Sequence, residues 1–373
     1  MDALSQTSPT EATAAACPVN SWNEWDPLEE VIVGRLEGAT IPPHHPVVTF
    51  NMPRLAARLH RFFAGLPYPS FMRARAEREL AGFIALLESE GVRVRRPDPI
   101  PHRRRVRSLL WSSRGFTIAC PRDGFLVIGN EILETPMAWR ARHFEGDAYR
   151  RLFKEYFLAG ARWISAPRPQ LADELYDPDY RIPGPGEPLR YVVTEFEPVF
   201  DAADAVRCGR DWFCIRSNVS NRMGLEWLRR HLAERGIRLH ELPVLCRQPM
   251  HIDSSFVPLA PGRVLVNPDY IDVERLPPIL KRWEVLIAPR PDPIEGDWLA
   301  KVSMCSPWIS INMLSLTPKR VVVDSSQRSL IKALKEWGFE PLDIPFMSYG
   351  AFGGSFHCAT LDIRRRGVLE DYS

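Results

Sequence analysis

The chain contains no Cys-x-x-Cys pair, no Gly-x-Gly-x-x-Gly, no phosphate-binding Gly-Lys-Ser/Thr loop and no His-x-x-x-His. Seven cysteines (17, 120, 208, 214, 246, 305 and 358) form an odd set without metal-ligand spacing, so neither a disulfide framework nor a zinc site is expected. Without the glycine fingerprints there is no sequence case for a dinucleotide or nucleotide domain. No apolar run approaches bilayer-spanning length, and residues 1–16 lack the basic start and apolar core of a secretory signal. The net charge is only +2, which gives no electrostatic argument for nucleic acid or an anionic membrane. These absences point to a soluble cytoplasmic protein with reduced thiols and with neither nucleic-acid nor membrane partners.

What is present is an ordinary globular composition, 45% hydrophobic and 25% charged over 373 residues, with 35 prolines that fall mostly between apolar segments. Residues 1–17 are Ser/Thr/Ala-rich and read as a flexible tail; residues 18–373 read as one catalytic domain. A short strand at Glu30–Val33 is stopped by Gly34, a helix is expected from Pro53 to Phe63, and helical spacing runs from Phe71 to Glu90. A strand, helix, strand unit then recurs. Its copies are Trp212–Ile215 with the helix 221–234, Arg263–Val266 with a helix near 276–282, and Arg320–Val323 with the helix 329–337. A looser copy joins Gly124–Ile128 to Ala161–Ile164 through a helix at 148–158. Five units at intervals of roughly 50 to 90 residues indicate a repeat architecture, with αβ modules around a pseudo-symmetric centre and polar residues facing a shared pocket.

Chemistry concentrates in four stretches. Gly353-Gly354-Ser355-Phe356-His357-Cys358 places a thiol after a glycine turn, where it can be presented as a nucleophile, and Arg364–Arg366 follow as a source of positive charge. Cys120-Pro121-Arg122-Asp123, Glu195 to Asp204 and Met250-His251-Ile252-Asp253 supply carboxylates and an imidazole. Each has a plainer reading: a buried core cysteine, a turn aspartate at 123, a helix cap at Asp201, a satisfied core histidine at 251. Together they are the parts of a Cys/His/Asp nucleophilic site, and paired carboxylates also suit a planar guanidinium. His251 and Asp253 share a face if that segment is extended, whereas His357 would point away from Cys358 and serve packing or loop fixing. His251 and Asp253 are too few ligands for a metal site.

These blocks, with Asn23-Glu24-Trp25-Asp26-Pro27-Leu28 and Glu197-Pro198, resemble the amidinotransferases. That group contains glycine amidinotransferase and related antibiotic- and toxin-pathway enzymes, among them lysine-accepting and saxitoxin-pathway types. The resemblance covers nearly the whole chain from Pro18 to Tyr372. It implies the α/β fold of the guanidine-modifying enzymes, a fivefold pseudo-symmetric αβ propeller. It also implies Cys358 as nucleophile, His251 as general acid/base and Asp201 as its orienting partner. Asp123 and Asp253 would hold a guanidinium, with Ser306, Met250 and Tyr270 completing the substrate site. Glycine amidinotransferase has an arginine where this chain has Tyr270, and several relatives have a third glycine where it has Ser355.

The implied reaction moves the amidino group of arginine through an amidino-cysteine to an acceptor amine, in ping-pong order, releasing ornithine and using no cofactor. Lysine or a larger pathway amine is expected over glycine, unless Arg263 or Arg140 supplies the missing cation. The partners are small-molecule substrates, and a homodimer is the assembly carried forward. The rival readings are a guanidine hydrolase of the same fold, in the manner of arginine deiminase, and a non-catalytic guanidine-binding protein.

Overall fold

The computed structural model describes residues 17–50, 52–294 and 303–372. The expected tail therefore lies outside the described residues, apart from Cys17.

Four of the apolar runs of the repeat form the middle of a three-stranded sheet rather than a simple pair, the run at Phe125–Ile128 forms the inner strand of a fifth, and the five sheets share one plan. An inner strand pairs antiparallel with a central strand, which pairs in parallel with an outer strand. The second blade runs Phe125–Ile128, Glu131–Glu134, Arg162–Ser165, and the third Ala205–Cys208, Asp211–Cys214, Arg238–Glu241. The fourth runs Phe256–Ala260, Arg263–Val266, Glu284–Ile287, and the fifth Leu314–Ser315, Arg320–Asp324, Glu340–Ile344. The first blade closes the ring. Its central strand Leu28–Val33 pairs in parallel with Arg93–Arg95, but its inner strand, Thr360–Arg365, comes from the far end of the chain.

Burial falls steadily from axis to rim. Phe125–Ile128 and Ala205–Cys208 are buried throughout, whereas Arg162–Ser165 and Glu284–Ile287 are exposed at both ends. This explains why the runs read as continuous apolar stretches near the axis and as mixed stretches outside.

Parallel pairing requires a crossover on the sheet face, and helices supply it at Ser70–Ser89, Arg150–Leu158, Arg222–Ala233 and Arg328–Glu336. The third illustrates the local logic. Asn221 caps it by accepting from the Gly224 amide at 2.8 Å, and Leu225, Leu228 and Leu232 bury one face against the sheet.

Two expectations change in detail. The helix near 276–282 is a 3-10 turn, Pro278–Arg282, because the chain returns to extended backbone at Trp283, too soon for α-helical turns to propagate. In the second blade, the strand paired in parallel with Arg162–Ser165 is Glu131–Glu134; Phe125–Ile128 is its antiparallel inner neighbour. Gly34 does end its strand, for a packing reason: a Cβ there would stand 2.0 Å from the Ala119 carbonyl oxygen.

The axis is filled by charge. Asp362 accepts from Arg122 at 2.6 Å, Arg207 at 2.7 Å and Arg365 at 2.8 Å, and Arg207 also grips Glu24 with bonds of 2.8 and 2.7 Å. All five side chains are buried. The basic run at 364–366 is therefore not simply solvated: Arg365 belongs to this axle, while Arg364 and Arg366 both pair with Glu29.

Removing one partner of a buried ion cluster leaves uncompensated charge and costs about 3–5 kcal/mol. Asp362→Ala, which strands three guanidiniums, is expected to lower the thermal unfolding midpoint by several degrees. Scanning calorimetry measures this, and an unchanged midpoint would show that the cluster does not hold the blades together.

Candidate active site

The polar residues singled out in the sequence lie where the inner strands begin. Asp123 precedes Phe125, Asp201 and Asp204 precede Ala205, Asp253 precedes Phe256, and Cys358 precedes Thr360. The fifth blade contributes Asn312 at the equivalent place ahead of Leu314. Pseudo-symmetry thus delivers one polar group per blade to a common centre. The resulting pocket is lined by Asp123, Met250, His251, Asp253, Tyr270, Ser306 and Cys358, with Phe116, Trp139 and Phe352 among its apolar walls. Asp201 stands one layer back, behind His251.

The cysteine loop depends on its glycines. Gly353 has φ +99°, and a Cβ on Gly354 would stand 2.4 Å from the Cys358 Cβ and 2.9 Å from the Cys120 sulfur. Ser355 needs no such freedom: it is buried, keeps ordinary backbone angles, and its carbonyl accepts from the Ala359 amide at 2.9 Å. The chain turns through 356–359 instead of running extended. The Cys358 amide donates to Asn312 Oδ1 at 3.1 Å, which fixes the sulfur. No sequence signal marked Asn312.

The thiol lies 3.5 Å from Asp253 Oδ2 and is buried. A hydrogen bond with Cys120, burial and the charges of Asp253 and Asp123 push its pKa well above the ordinary thiol value. The expected depression by the 364–366 arginines does not occur, because those side chains are committed elsewhere.

His251 occupies a position that its backbone would not choose. Its φ is +58°, a conformation costing a non-glycine residue about 1–3 kcal/mol, and it precedes a 3-10 turn at Ile252–Ser254. Asp204 holds it there, accepting the His251 amide at 2.9 Å on Oδ1 and the Ser217 and Ser220 hydroxyls at 2.5 Å on Oδ2. The ring Nε2 lies 3.1 Å from Asp201 Oδ2, and Nδ1 lies 3.7 Å from Asp123 Oδ1. Burial lowers the imidazole pKa, but Asp123, Asp201 and Asp204 outweigh it and the pKa rises to about 10.

Asp123 is held by Arg142 Nη1 at 2.5 Å, and Arg142 also binds the Cys120 carbonyl at 2.9 Å and Glu145 at 2.9 Å. Burial raises the Asp123 pKa against the pull of His251 and Arg142. Asp253 differs. Burial pushes it up, but the His357 hydrogen bond and the charges of His357 and His251 bring it below the ordinary value.

The arrangement has one shared feature. Asp123 Oδ1, Asp201 Oδ1 and Asp253 Oδ1 are buried and have no hydrogen-bond partner. Buried carboxylate oxygens without donors are costly, and a ligand presenting planar N–H groups would satisfy them.

The remaining predicted residues take different parts. Ser306 and Met250 line the pocket, and Tyr270 presents a phenol whose pKa burial pushes up to about 12. Glu195 and Glu197 stay outside it, accepting backbone amides of Met223, Gln170 and Leu171. Neither Arg263 nor Arg140 reaches it: the first stacks on Trp337 and Phe339, and the second binds the Leu171 carbonyl and Asp173. Among the described residues no group of three or more His, Cys, Asp or Glu is arranged to hold a metal ion, and no helix is long and apolar enough to cross a membrane.

No family model matches the chain. Among curated proteins it is 46% identical to an L-arginine:L-lysine amidinotransferase of Pseudomonas savastanoi pv. phaseolicola, over 95% of this chain and 96% of the relative. It is 44% identical to a mitochondrial glycine amidinotransferase of Gallus gallus, over 95% of this chain and 85% of the relative. Among solved structures, the amidinotransferase SxtG of the saxitoxin biosynthetic pathway of Microseira wollei superposes with a TM-score of 0.92 at 51% identity, covering 96% of this chain and all of that one (100%). A dimethylarginine dimethylaminohydrolase shares the fold alone, at 12% identity and a TM-score of 0.57 over 90% of this chain and 99% of that one.

The electrostatics generate a direct expectation. In the ligand-free protein His251 should remain an imidazolium through pH 8 and titrate near 10. Its folded-state pKa lies above the ordinary 6.5, so its contribution to stability is fully present below about pH 6.5 and lost as pH rises through 10. Asp201→Asn should lower the midpoint by about a unit or more. Histidine NMR titration follows this, and a His251 midpoint near 6.5 would contradict it.

Proposed function

Because the chain belongs to the amidinotransferase family, we propose that it transfers the amidino group of arginine to an acceptor amine, with Cys358 as the nucleophile. The observation that carries this reading is the pair of unpartnered carboxylate oxygens, on Asp123 and Asp253, that line one pocket with the Cys358 thiol. They match a planar cation and disfavour a neutral or anionic substrate.

Arginine enters with its guanidinium against Asp123 and Asp253. The arriving positive charge reverses the local field that holds the thiol proton, so the thiol gives that proton to solvent as substrate binds and the thiolate takes one back when the site empties. The sulfur adds to the guanidinium carbon and forms a C–S bond. His251, charged at neutral pH, gives a proton to the arginine Nε as the Cζ–Nε bond breaks, and ornithine leaves with that nitrogen as its side-chain amine. The amidino group stays on sulfur as an amidinium. An acceptor amine takes ornithine's place, neutral His251 removes its proton, and attack on the same carbon regenerates the thiolate and the imidazolium. The two half-reactions share one site, which gives ping-pong kinetics. Asp201 orients the imidazole and stabilises its charged form. All seven cysteines are free, which supports a reducing, cytoplasmic setting for an enzyme of this kind.

Tyr270 bears on the acceptor. It stands where glycine amidinotransferase carries an arginine, and a phenol offers neither charge nor a bidentate grip on a carboxylate. Arg142 lines the pocket but is fully engaged by Asp123, Glu145 and Cys120. An acceptor as small as glycine depends most on such a grip, so a longer amine is favoured. The loss of one charged hydrogen bond is worth about 1.5–3 kcal/mol, a discrimination of about tenfold or more.

The test is transfer from arginine to a panel of amines with products identified by mass. Amidino transfer to lysine or a larger amine, at least about tenfold more efficient in kcat/KM than to glycine, is expected. Steady citrulline formation without any amine would instead identify a hydrolase, and a preference for glycine would overturn the role given to Tyr270.

A further inference from the structure

We propose that His357 is a positioning residue, held as an imidazolium between Glu24 and Asp253, which determines which oxygen of Asp253 is left free for the substrate. What that oxygen binds rests on the amidinotransferase reading; the rest is geometry. Nδ1 of His357 lies 2.8 Å from Asp253 Oδ2, and Nε2 lies 3.2 Å from Glu24 Oε2. Both neighbours are carboxylates that only accept, so both ring nitrogens must donate, and a neutral tautomer would set a lone pair against an anion. Arg207 keeps Glu24 ionised, and Arg122 lies 3.5 Å from the Glu24 oxygen facing His357.

The residue is buried and its backbone is fixed. Its backbone carbonyl accepts from the Thr360 hydroxyl at 3.0 Å and from Arg122 Nε at 3.4 Å, and its amide donates to the Asn312 carbonyl at 3.4 Å. Asp253 is consequently asymmetric. Oδ2 is occupied by His357 and the Cys358 thiol, while Oδ1 is buried without a partner. The axle is therefore coupled to the pocket in two ways, through a hydrogen bond to Asp253 and through the single peptide bond that joins His357 to Cys358.

The charged and titratable groups facing this pair are Glu24 and Arg122 on the His357 side, and His251, Cys358, Asp123 and Cys305 on the Asp253 side. Removal of the imidazolium leaves Asp253 beside Cys358 and His251 without its nearest cation. The carboxylate then binds a proton more readily and is free to rotate.

Two measurements test this. In the unaltered protein without substrate, nitrogen NMR of labelled histidine should show both His357 nitrogens protonated between pH 6 and 8; a neutral tautomer at pH 7 would overturn the proposal. This arm is independent of the reaction, so the proposal and the functional reading can fail separately, and it decides the matter if the variant does not fold. In folded His357→Gln, the KM for arginine should rise about tenfold or more while kcat falls less. The acidic limb of kcat/KM should also move to higher pH. An unchanged KM together with an unchanged acidic limb would sink the assignment.

Discussion

The structure depends on the burial of a charged cluster along its axis. Asp362 accepts three guanidiniums, and Glu24 shares two of them. The participants come from the N-terminal segment, the lead-in to the second blade, the inner strand of the third and the inner strand contributed by the C-terminal end of the chain. Taking these groups out of water costs several kcal/mol per ion and is recovered only when geometry and hydrogen bonding are satisfied together. The cluster is therefore compatible with one arrangement of blades and little else. It also ties the lead-in to the second blade to the inner strands of the third and first blades, beside the candidate site.

The pocket inverts this principle. In the axle every acid has its cation, whereas in the pocket Asp123, Asp201 and Asp253 each keep one oxygen with no partner. The surrounding structure prevents relaxation: Arg142 anchors Asp123, His251 engages Asp201, and His357 anchors Asp253. In the proposed reaction the thiol stays protonated in this acidic surrounding until a cation arrives, so a site that is electrostatically incomplete when empty would couple activation of the nucleophile to the presence of substrate and limit adventitious chemistry at the sulfur.

The sequence revealed the repeat because each blade needs the same apolar strand, crossover and second strand, and burial prints that need as a period. It marks Cys358, His251 and the aspartates as candidates because they fall at breaks in the apolar pattern and in blocks that resemble a family, and the structure brings them together. It hid what depends on chain direction. His357 reads as facing away from Cys358 only if the segment is extended; the turn at 356–359 places both side chains on Asp253. Arg365 reads as part of a solvated basic tail because local charge density carries no information about a strand that closes the ring. Asn312 and Arg142 have no local signal at all, since an asparagine before a strand and an arginine in a run such as Arg140-Ala141-Arg142 are common on surfaces. Of the antiparallel inner strands only Phe125–Ile128 reads as an apolar run, and it reads as the partner of Ala161–Ile164 rather than as a third strand of its blade.

The central claim is that Cys358 forms a covalent amidino intermediate in a pocket poised by its unpartnered acids. The most direct measurement is the mass of the Cys358 peptide after incubation with arginine and no acceptor. A gain of one amidino group on that peptide, with one equivalent of ornithine released and the adduct discharged on adding an amine, is the predicted result. An adduct on Cys120 or Cys305, or turnover that proceeds in a Cys358→Ala variant, would contradict it.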